Sequence, residues 1–472
     1  MTLRTGVAAI GLLLCLAPDA LADRDKTFIL ATGRRDPRMY AIDLQKALRP
    51  ENDKTPNAIV SRSKTALDRL DGKLLGDPAN VVVSEDRRTA FVVNHHGAIN
   101  NDEFVQHGGR GGIALMNVKK MIDRKNDDTA AALERHVDSG HFGAVGLVLL
   151  PDLFVIGNAE SHLTEDGGNR ITFVDRRTGS LRGEVELALA SAECETARHF
   201  KVPFASPNGP PSPVALLSPD PTWGCFPDTN GVVVGHSSSG KAYLFTANGG
   251  TDDVSVIDLL RALGGDRRAE VLRIPTQIGP WGMAVSPNGR WIVAANRESQ
   301  KVAFEGNTIS IIDADAIERA IALKDPSQAE VARVLVGTSD PNVQTRPFIP
   351  SFTPDGNEIV VPNFRANNVS IVSLDLARAV KRGAGAEVAR IPIVRPNEPD
   401  GQPIRASRPK GSAVTSDGRY AVVSAGPRVT LNPFKPSGTV SVIDLKKRAV
   451  VATVTGVGND PYGLALVETE DD

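Results

Sequence analysis

The sequence has few aromatic residues, few cysteines and almost no net charge. Of 472 residues, 5% are Phe, Trp or Tyr, three are Cys, and the 54 basic residues nearly balance the 56 acidic ones. A general nucleic-acid-binding protein needs a basic face that neutralises phosphates, so this balance argues against such a protein. Glycine and proline are plentiful, with 43 and 32 residues, which is typical of many short strands joined by turns.

The chain also lacks the local motifs of common enzymes. It has no G-x-S-x-G nucleophile elbow, no C-x-x-C-H haem attachment, no P-loop, no dinucleotide-binding fingerprint, no H-E-x-x-H and no EF-hand loop. The segment GHSSSG at Gly235 has its glycines at the wrong spacing and indicates a hairpin turn. Whether the protein is an enzyme stays open, because an active site can also be assembled from residues on scattered loops.

Apolar runs long enough to cross a membrane are missing too. The N-terminus, MTLRTGVAAIGLLLCLAPDALA, combines the positive Arg4, a short apolar stretch and the small-x-small site Ala20-Leu21-Ala22. This pattern predicts a secretory signal peptide over 1–22, which is too short to span a bilayer. We therefore expect cleavage near Ala22 and a periplasmic or secreted protein in which 23–472 form a single domain without a membrane span.

Cleavage would leave two cysteines, Cys194 and Cys225. In an oxidising compartment, two remaining cysteines are expected to pair. The segment between them is rich in proline, so it cannot form a regular strand or helix over most of its length. We predict an insertion at about 190–228, tied by a disulfide that stabilises the fold by roughly 3–4 kcal/mol in the chain-entropy model.

A repeat of strand-like segments runs through the chain. Each copy has an apolar strand, a tight turn, a second apolar strand, a loop and a third, alternating strand. Three copies begin at Pro280, Pro347 and Pro409 and contain the turns SPNG, TPDG and TSDG. Asn-Gly and Asp-Gly favour the positive φ of a hairpin. Segments such as EVLRIP and EVARVLV supply a fourth strand to each copy.

Four antiparallel strands per copy, repeated along the chain, predict a β-propeller. More degenerate copies at Ala79, Gly143 and Asn230 bring the number to six. A further blade, counted as blade 1 so that the copy at Pro409 is blade 7, combines PYGLALVE from Pro461 with TFILATG and RMYAIDL near the N-terminus. We therefore predict an all-β, seven-bladed propeller of four-stranded antiparallel blades, with a ring closed by N- and C-terminal strands so that no open edge remains.

The second strands end in a recurring asparagine, at positions 94, 158, 248, 296 and 363. With the SPDG-like turns and the V-S-V-I-D-like third strands, this pattern resembles the YVTN β-propeller family over most of the mature chain. Blade 7 departs from it with Ser424-Ala425-Gly426. The resemblance implies the fold but no single function, because the family includes surface-layer proteins, export-associated binding proteins and lactonase-like enzymes. We interpret the asparagines as structural residues that cap the strands by bonding the local backbone.

The alternating strand directions place the loops after the second and fourth strands on one face, which we call the wide-loop face. On blades 2 and 3 this face carries five histidines and a glutamate: His95, His96, His107, His141, His162 and Glu160. Neutral imidazoles with a carboxylate can bind copper or zinc, the only cofactors that the pattern indicates. Because the spacing matches no known ligand motif, a solvated polar loop is the alternative interpretation.

On blades 5 to 7 the wide-loop face is cationic. The candidate anion-binding residues are five arginines and two aromatic residues: Arg297, Arg346, Arg365, Arg408, Arg428, Trp281 and Tyr462. Clustered arginine suits the recognition of carboxylate or phosphate. The alternative is that some of these arginines only pair with Glu298 or Glu398.

These patterns favour an exported, monomeric propeller that binds a small anionic ligand, a metal ion or an exported partner protein on its wide-loop face. One alternative is an enzyme, either a lactonase-like hydrolase or a metal-dependent periplasmic oxidoreductase that uses the histidines of blades 2 and 3. A second alternative is a structural protein of the cell envelope.

Overall fold

The computed structural model describes residues 26–34, 36–65, 77–95, 110–160, 168–190, 226–299, 304–394, 407–426 and 437–469, together with a short hairpin of Arg69–Leu70 and Lys73–Leu74. It contains seven blades of four antiparallel strands, which confirms the predicted fold class. The predicted signal peptide and the predicted Cys194–Cys225 disulfide lie outside these residues. None of the described helices is long and apolar enough to cross a membrane.

Each blade contributes strands a to d, from the central channel outwards, and blades are numbered along the ring. The a strands of blades 1 to 7 are Leu464–Thr469, Pro78–Val83, the second half of Leu133–Leu149, Thr229–His236, Pro280–Val285, Ser351–Phe352 and Pro409–Val414. The b strands are Lys26–Thr32, Thr89–Asn94, Leu153–Glu160, Ala242–Asn248, Trp291–Glu298, Glu358–Asn363 and Tyr420–Ala425.

The outer strands follow the same order. The c strands are Arg38–Asp43, Arg110–Asn117, Arg170–Asp175, Asp253–Asp258, Glu305–Asp313, Asn368–Ser373 and Thr439–Asp444. The d strands are Ile59–Lys64, the first half of Leu133–Leu149, Leu181–Glu186, Glu270–Pro275, Glu330–Leu335, Glu387–Pro392 and Ala449–Thr455. In blade 5, Arg382–Gly383 adds a short parallel strand outside strand d.

The ring closes in blade 1, where both ends of the chain meet. Strand b, Lys26–Thr32, pairs antiparallel with strand a, Leu464–Thr469, in a continuous register from Lys26 opposite Thr469 to Ala31 opposite Leu464. The hydroxyl of Thr32 also accepts the backbone N–H groups of Tyr462 and Gly463, at 3.2 and 3.0 Å. This pairing gives blade 1 its fourth strand, so that Lys26–Thr32 is not left as the inner edge of its sheet.

The core lies between neighbouring blades, where adjacent sheets pack face to face. In blade 5, Ile309 and Ile311 of strand c are fully buried against Ile359 and Val361 of the next blade. Strand c residues are buried on both sides, as the all-buried pattern of Asp253–Asp258 shows. This explains why the third segment of the repeat is so rich in Val and Ile.

Short helices connect strands c and d on five blades, a feature that the sequence patterns did not predict. They are Leu44–Ala47, Val118–Met121, Leu259–Leu263, Ile317–Leu323 and Leu374–Val380. In blades 1 and 4 the last residue of strand c caps the helix: Asp43 accepts the N–H of Lys46 at 2.8 Å, and Asp258 accepts that of Arg261 at 3.1 Å. In these two blades the aspartate that ends strand c is therefore a helix cap, whereas in blade 7 Asp444 accepts the N–H of Lys447 at 2.9 Å in a turn.

The recurring asparagines are buried and structural, but their main partners are side chains of strand c rather than the local backbone. Asn296 Nδ2 donates to the hydroxyls of Thr308 and Ser310, at 2.8 and 3.0 Å. Asn363 Nδ2 donates to the amide oxygen of Asn368 and to the hydroxyl of Ser370, at 2.8 and 2.7 Å. These bonds tie strand b to strand c where the wide loops begin.

Glycines allow the a strands to approach closely around the channel. A Cβ at Gly282 would collide with the carbonyl oxygen of Phe348 on the next blade, and one at Gly411 would collide with that of Tyr462. The approach brings the first residues of neighbouring a strands side by side. These residues form the mouth of the channel.

Candidate functional site

The mouth of the channel is lined by one residue per blade, where each a strand begins. The pairing register aligns these residues, which in blades 1 to 7 are Tyr462, Ala79, Val145, Asn230, Trp281, Phe348 and Lys410. They are small on blades 2 to 4 and large on blades 5, 6, 7 and 1. Among the described residues, the channel beneath them is narrow, with a cavity of about 60 Å³ against Trp281 and Tyr462. The large residues on blades 5, 6, 7 and 1 pack against the aromatic and cationic side chains of the candidate site.

Phe348 is the centre of an aromatic cluster at this mouth. It is fully buried, and its ring centroid lies 6.0 Å from Trp281, 5.9 Å from Phe364 and 5.2 Å from Tyr462. Phe364 stacks on it, whereas Tyr462 meets it edge-on. Both arrangements are favourable for aromatic pairs. The cluster therefore forms an apolar floor that joins blades 5, 6 and 1.

Cationic side chains lie over this floor. The guanidinium carbon of Arg297 is 4.1 Å from the Trp281 centroid, and that of Arg346 is 4.9 Å from the Phe364 centroid. From blade 1, Arg34 lies 4.3 Å from the Tyr462 centroid. Such contacts contribute about 0.5–2 kcal/mol each when they are partly desolvated. The structure thus brings the predicted Arg297, Arg346, Trp281 and Tyr462 to one face.

Arg297, Arg346 and Arg365 belong to a chain of alternating charges that we call the Arg–Glu chain: Arg297, Glu298, Arg346, Glu305 and Arg365. Arg297 Nη2 lies 2.5 Å from Glu298 Oε1, and Arg346 Nη2 lies 2.6 Å from Glu298 Oε2. Arg346 Nη1 donates to Glu305 Oε1, while Arg365 Nη1 lies 2.8 Å from Glu305 Oε2. The predicted alternative of pairing with Glu298 is therefore observed for Arg297 and Arg346.

Arg408 differs from the other cations of the cluster. Its guanidinium carbon lies 5.5 Å from the Phe364 centroid, and its backbone N–H donates to Asn367 Oδ1 at 2.9 Å. Within the residues that the structure describes, its side chain forms no ion pair. Arg428, the fifth predicted arginine, lies outside those residues.

Arg346 and Arg408 share an unusual backbone. Each immediately precedes the proline at the entrance to an a strand, and each has a positive φ, 53° and 55°. The left-handed region costs a non-glycine residue about 1–2 kcal/mol. Strain of this kind often persists at binding sites, where the surroundings hold the residue in place.

The histidine side of the wide-loop face has a different arrangement. His95 is buried, with Nδ1 3.1 Å from the carbonyl oxygen of Ala144. His141 Nε2 lies 2.9 Å from Glu184 Oε2, and Glu184 belongs to the outermost strand of blade 3. The partner of His141 therefore lies at the rim of the ring. His236 is exposed at an a-to-b turn, where its ring packs over Gly289 on the opposite face.

The predicted metal site depends mainly on residues for which no side-chain placement is described: His96, His107, His162 and the side chain of Glu160. Among the described residues, no three His, Cys, Asp or Glu side chains are grouped as metal ligands. The copper or zinc site stays a prediction.

Several residues of the site were not predicted from the sequence. They are Arg34, Phe348, Phe364, Glu305 and Asp460, whose carboxylate accepts from Lys410 Nζ. A usable signal exists for some of them, because the segments Arg346-Pro347-Phe348, Arg408-Pro409-Lys410 and Asp460-Pro461-Tyr462 occupy equivalent positions in three blades. An alignment of these three segments predicts that Phe348, Lys410 and Tyr462 lie side by side around the mouth of the channel.

Comparison with known proteins supports the fold over nearly the whole chain. No protein-family model and no curated protein matches the sequence. Solved structures do match: the periplasmic gluconolactonase of Pseudomonas aeruginosa has a TM-score of 0.55 at 14% identity, with 94% of this chain and 99% of that chain covered. A candidate 6-phosphogluconolactonase from Bacteroides uniformis gives 0.55 at 14% identity, with 94% and 100% covered.

A functionally unknown protein from Desulfotomaculum acetoxidans is also similar, with a TM-score of 0.50 at 10% identity and coverage of 94% and 99%. This chain is therefore similar in fold to lactonase-type seven-bladed propellers. At these identities the likeness concerns the fold alone, and function has to be argued from the site.

Proposed function

We propose that this protein binds a small carboxylate-bearing ligand on the wide-loop face, above the aromatic cluster of blades 5, 6 and 1. The observation that carries the proposal is the position of Arg408. Its guanidinium lies over Phe364. The nearby cations Lys410 and Arg346 form ion pairs with Asp460 and Glu305, whereas Arg408 pairs with no carboxylate within the described part of the chain. A ligand carboxylate would supply the missing partner.

The chemistry of the neighbouring side chains supports this ligand class. A guanidinium presents a planar fork of N–H donors that matches a carboxylate, and a bidentate pair is stronger than a single neutral hydrogen bond. Arg365 adds donors nearby, because its side chain is 56% exposed and only its Nη1 bonds Glu305. The apolar floor lowers the local dielectric, so charge pairing there is stronger than in bulk water.

Calorimetric titration with D-gluconate tests the proposal, with sorbitol as the analogue that lacks the carboxylate. We expect saturable binding of gluconate and none of sorbitol. In Arg408→Gln the affinity should fall at least about tenfold, or about 1.4 kcal/mol, because one charge-assisted pair is lost. Trp281 emission, followed in a background with Trp223→Phe and Trp291→Phe so that Trp281 is the single tryptophan, should change with the same affinity because Trp281 lies under Arg297.

The matched control is Arg319→Gln on the outer helix Ile317–Leu323, where the arginine is exposed and remote from the channel. It should bind gluconate like the parent protein. Equal binding by Arg408→Gln and Arg319→Gln would refute the assignment, as would binding of sorbitol as tight as that of gluconate.

A second candidate function is hydrolysis of a lactone at the same face. Two observations favour it: the likeness in fold to the periplasmic gluconolactonase of P. aeruginosa, and the match between the arginine face and the carboxylate that lactone opening produces. D-Glucono-1,5-lactone would be the substrate, with base uptake at constant pH measured above the spontaneous rate. Turnover that is lost in Arg408→Gln and kept in Arg319→Gln would make the protein an enzyme. A rate of lactone hydrolysis equal to the spontaneous rate in buffer would refute hydrolysis and leave ligand binding as the proposed function.

A further inference from the structure

We infer that Arg346 is a positioning residue: it holds Glu305 so that the guanidinium of Arg365 stays available to a ligand. The inference rests on the function proposed above and names a residue that acts at that site without touching the ligand. Arg346 is 2% exposed, and both of its Nη atoms bond carboxylates. Arg365, at the end of the Arg–Glu chain, is exposed on the wide-loop face.

The two oxygens of Glu305 are divided between two arginines. Oε1 accepts from Arg346, and Oε2 accepts from Arg365 at 2.8 Å. In this arrangement Glu305 holds Arg365 by a single N–H group. The remaining donors of Arg365 are then free to meet an anion.

Another pair in this protein shows how a carboxylate binds a single arginine with both of its oxygens. Glu358 binds Arg448 with both oxygens: Arg448 Nη1 donates to Oε2 at 2.8 Å, and Nη2 donates to Oε1. A bidentate clamp of this kind uses two of the five N–H donors of a guanidinium and fixes its plane. Without Arg346, Glu305 would clamp Arg365 in the same way and withdraw it from the ligand.

A lysine cannot take over from Arg346. The planar guanidinium contacts Glu298 with Nη2 and Glu305 with Nη1, in two directions set by the fork. An ammonium group is a compact point charge on a flexible stem and lacks this fixed geometry. Arg346→Lys therefore keeps the net charge of the site, and it removes the forked contact that joins Glu298 to Glu305 and divides the Glu305 oxygens.

Two variants should change gluconate affinity in opposite directions. Arg346→Lys should weaken binding about tenfold, because the clamp takes donors from Arg365. Glu305→Gln should tighten binding about threefold, since a neutral amide cannot clamp Arg365 and the site gains positive charge. If Arg346 and Glu305 only stabilised the loops, both variants would weaken binding, and that result would overturn the inference.

Arg290→Lys is the matched control. Arg290 also joins two carboxylates, Asp313 at 2.8 Å and Asp315 at 3.0 Å, and its guanidinium carbon lies 4.5 Å from the Trp291 centroid. It belongs to an a-to-b turn on the opposite face of the ring. Gluconate affinity should not change in this variant, although it also replaces an arginine that bridges two carboxylates beside an aromatic ring.

A measurement without ligand separates this inference from the proposed function. Phenylglyoxal reacts with arginine side chains, and peptide mapping gives the rate of adduct formation at Arg365 alone. The rate should fall at least about threefold in Arg346→Lys and rise at least about threefold in Glu305→Gln, because a clamped guanidinium is less available than a free one. The rate at Arg319 should be equal in all variants.

The two readouts have distinct outcomes. Opposite changes in the Arg365 rate, with no gluconate binding by the parent protein, would refute the proposed ligand and keep the positioning role. An unchanged rate in both variants, or a change in the same direction, would refute the positioning role whatever the ligand does.

Discussion

Lys410 and Asp460 form a buried ion pair across the joint between blades 7 and 1. Lys410 is fully buried, and its Nζ donates to the Asp460 carboxylate and to the carbonyl oxygen of Gly426, the latter at 2.8 Å. The same ammonium lies 5.2 Å from the Tyr462 centroid. The backbone N–H of Asp460 donates to Gly33. The pair therefore connects blade 7, the aromatic cluster and the blade in which the chain ends meet.

Replacing one member of this pair should destabilise the ring strongly. In Asp460→Asn the buried ammonium of Lys410 loses its ion pair with this carboxylate, which costs about 3–5 kcal/mol of unfolding free energy. Urea unfolding, followed by circular dichroism, measures the change. Asp375→Asn is the control, because Asp375 is 87% exposed in its pair with Arg378, and an exposed pair contributes at most about 1 kcal/mol. Equal losses in the two variants would contradict the burial argument.

The close approach of the a strands predicts a sharp difference between two glycines. In Gly282→Ala the new methyl group meets the backbone of Phe348, which cannot move without disturbing the aromatic cluster. We expect a loss of about 1–3 kcal/mol, the usual range for overpacking. Gly183→Ala, on an outer strand with no atom within 4 Å of the added Cβ, should change stability by less than about 1 kcal/mol. Thermal unfolding of both variants tests this prediction. Similar unfolding midpoints would contradict the close packing of neighbouring a strands at Gly282.

Acid should weaken the seam between blades 1 and 2. Arg62 Nη2 lies 2.6 Å from Asp127 Oδ2, and this hydrogen-bonded ion pair lowers the pKa of Asp127 below its ordinary value of 3.8. A group with a lowered folded-state pKa stabilises the fold above the unfolded pKa, and that contribution is lost as the pH falls through the folded pKa. Asp127→Asn should therefore cost up to about 1 kcal/mol at pH 7.

The difference in unfolding free energy between Asp127→Asn and the parent protein should shrink as the pH falls below 3.8 and through the lowered folded-state pKa of Asp127, because protonation makes the Asp127 side chain as neutral as asparagine. Unfolding midpoints at several pH values measure it. Arg62→Gln should show the same pH dependence, since it removes the other half of the pair. A difference that stays constant from neutral to acid pH would refute the role of the Arg62–Asp127 pair.

Much of the fold could be predicted because each blade is built mainly from contiguous residues. The turns at Asn288-Gly289 and Asp355-Gly356 join neighbouring strands, and the alternation of Val and Ile marks the buried c strands. These are short-range signals. The c-to-d helices were missed, because a terminal residue such as Asp258 ends a strand and caps a helix of only five residues.

The site could be predicted only in part, for a physical reason. Strand direction places Arg297, Arg346, Arg365 and Arg408 on one face, so the sequence by itself determined the face, its charge and the blades involved. Their partners depend on distances between blades. Glu305 lies between Arg346 and Arg365 because neighbouring a strands approach at Gly282 and because Phe348 packs between Trp281 and Phe364. Only the tertiary structure decided that Arg346 is occupied by two carboxylates while Arg408 lies over an aromatic ring.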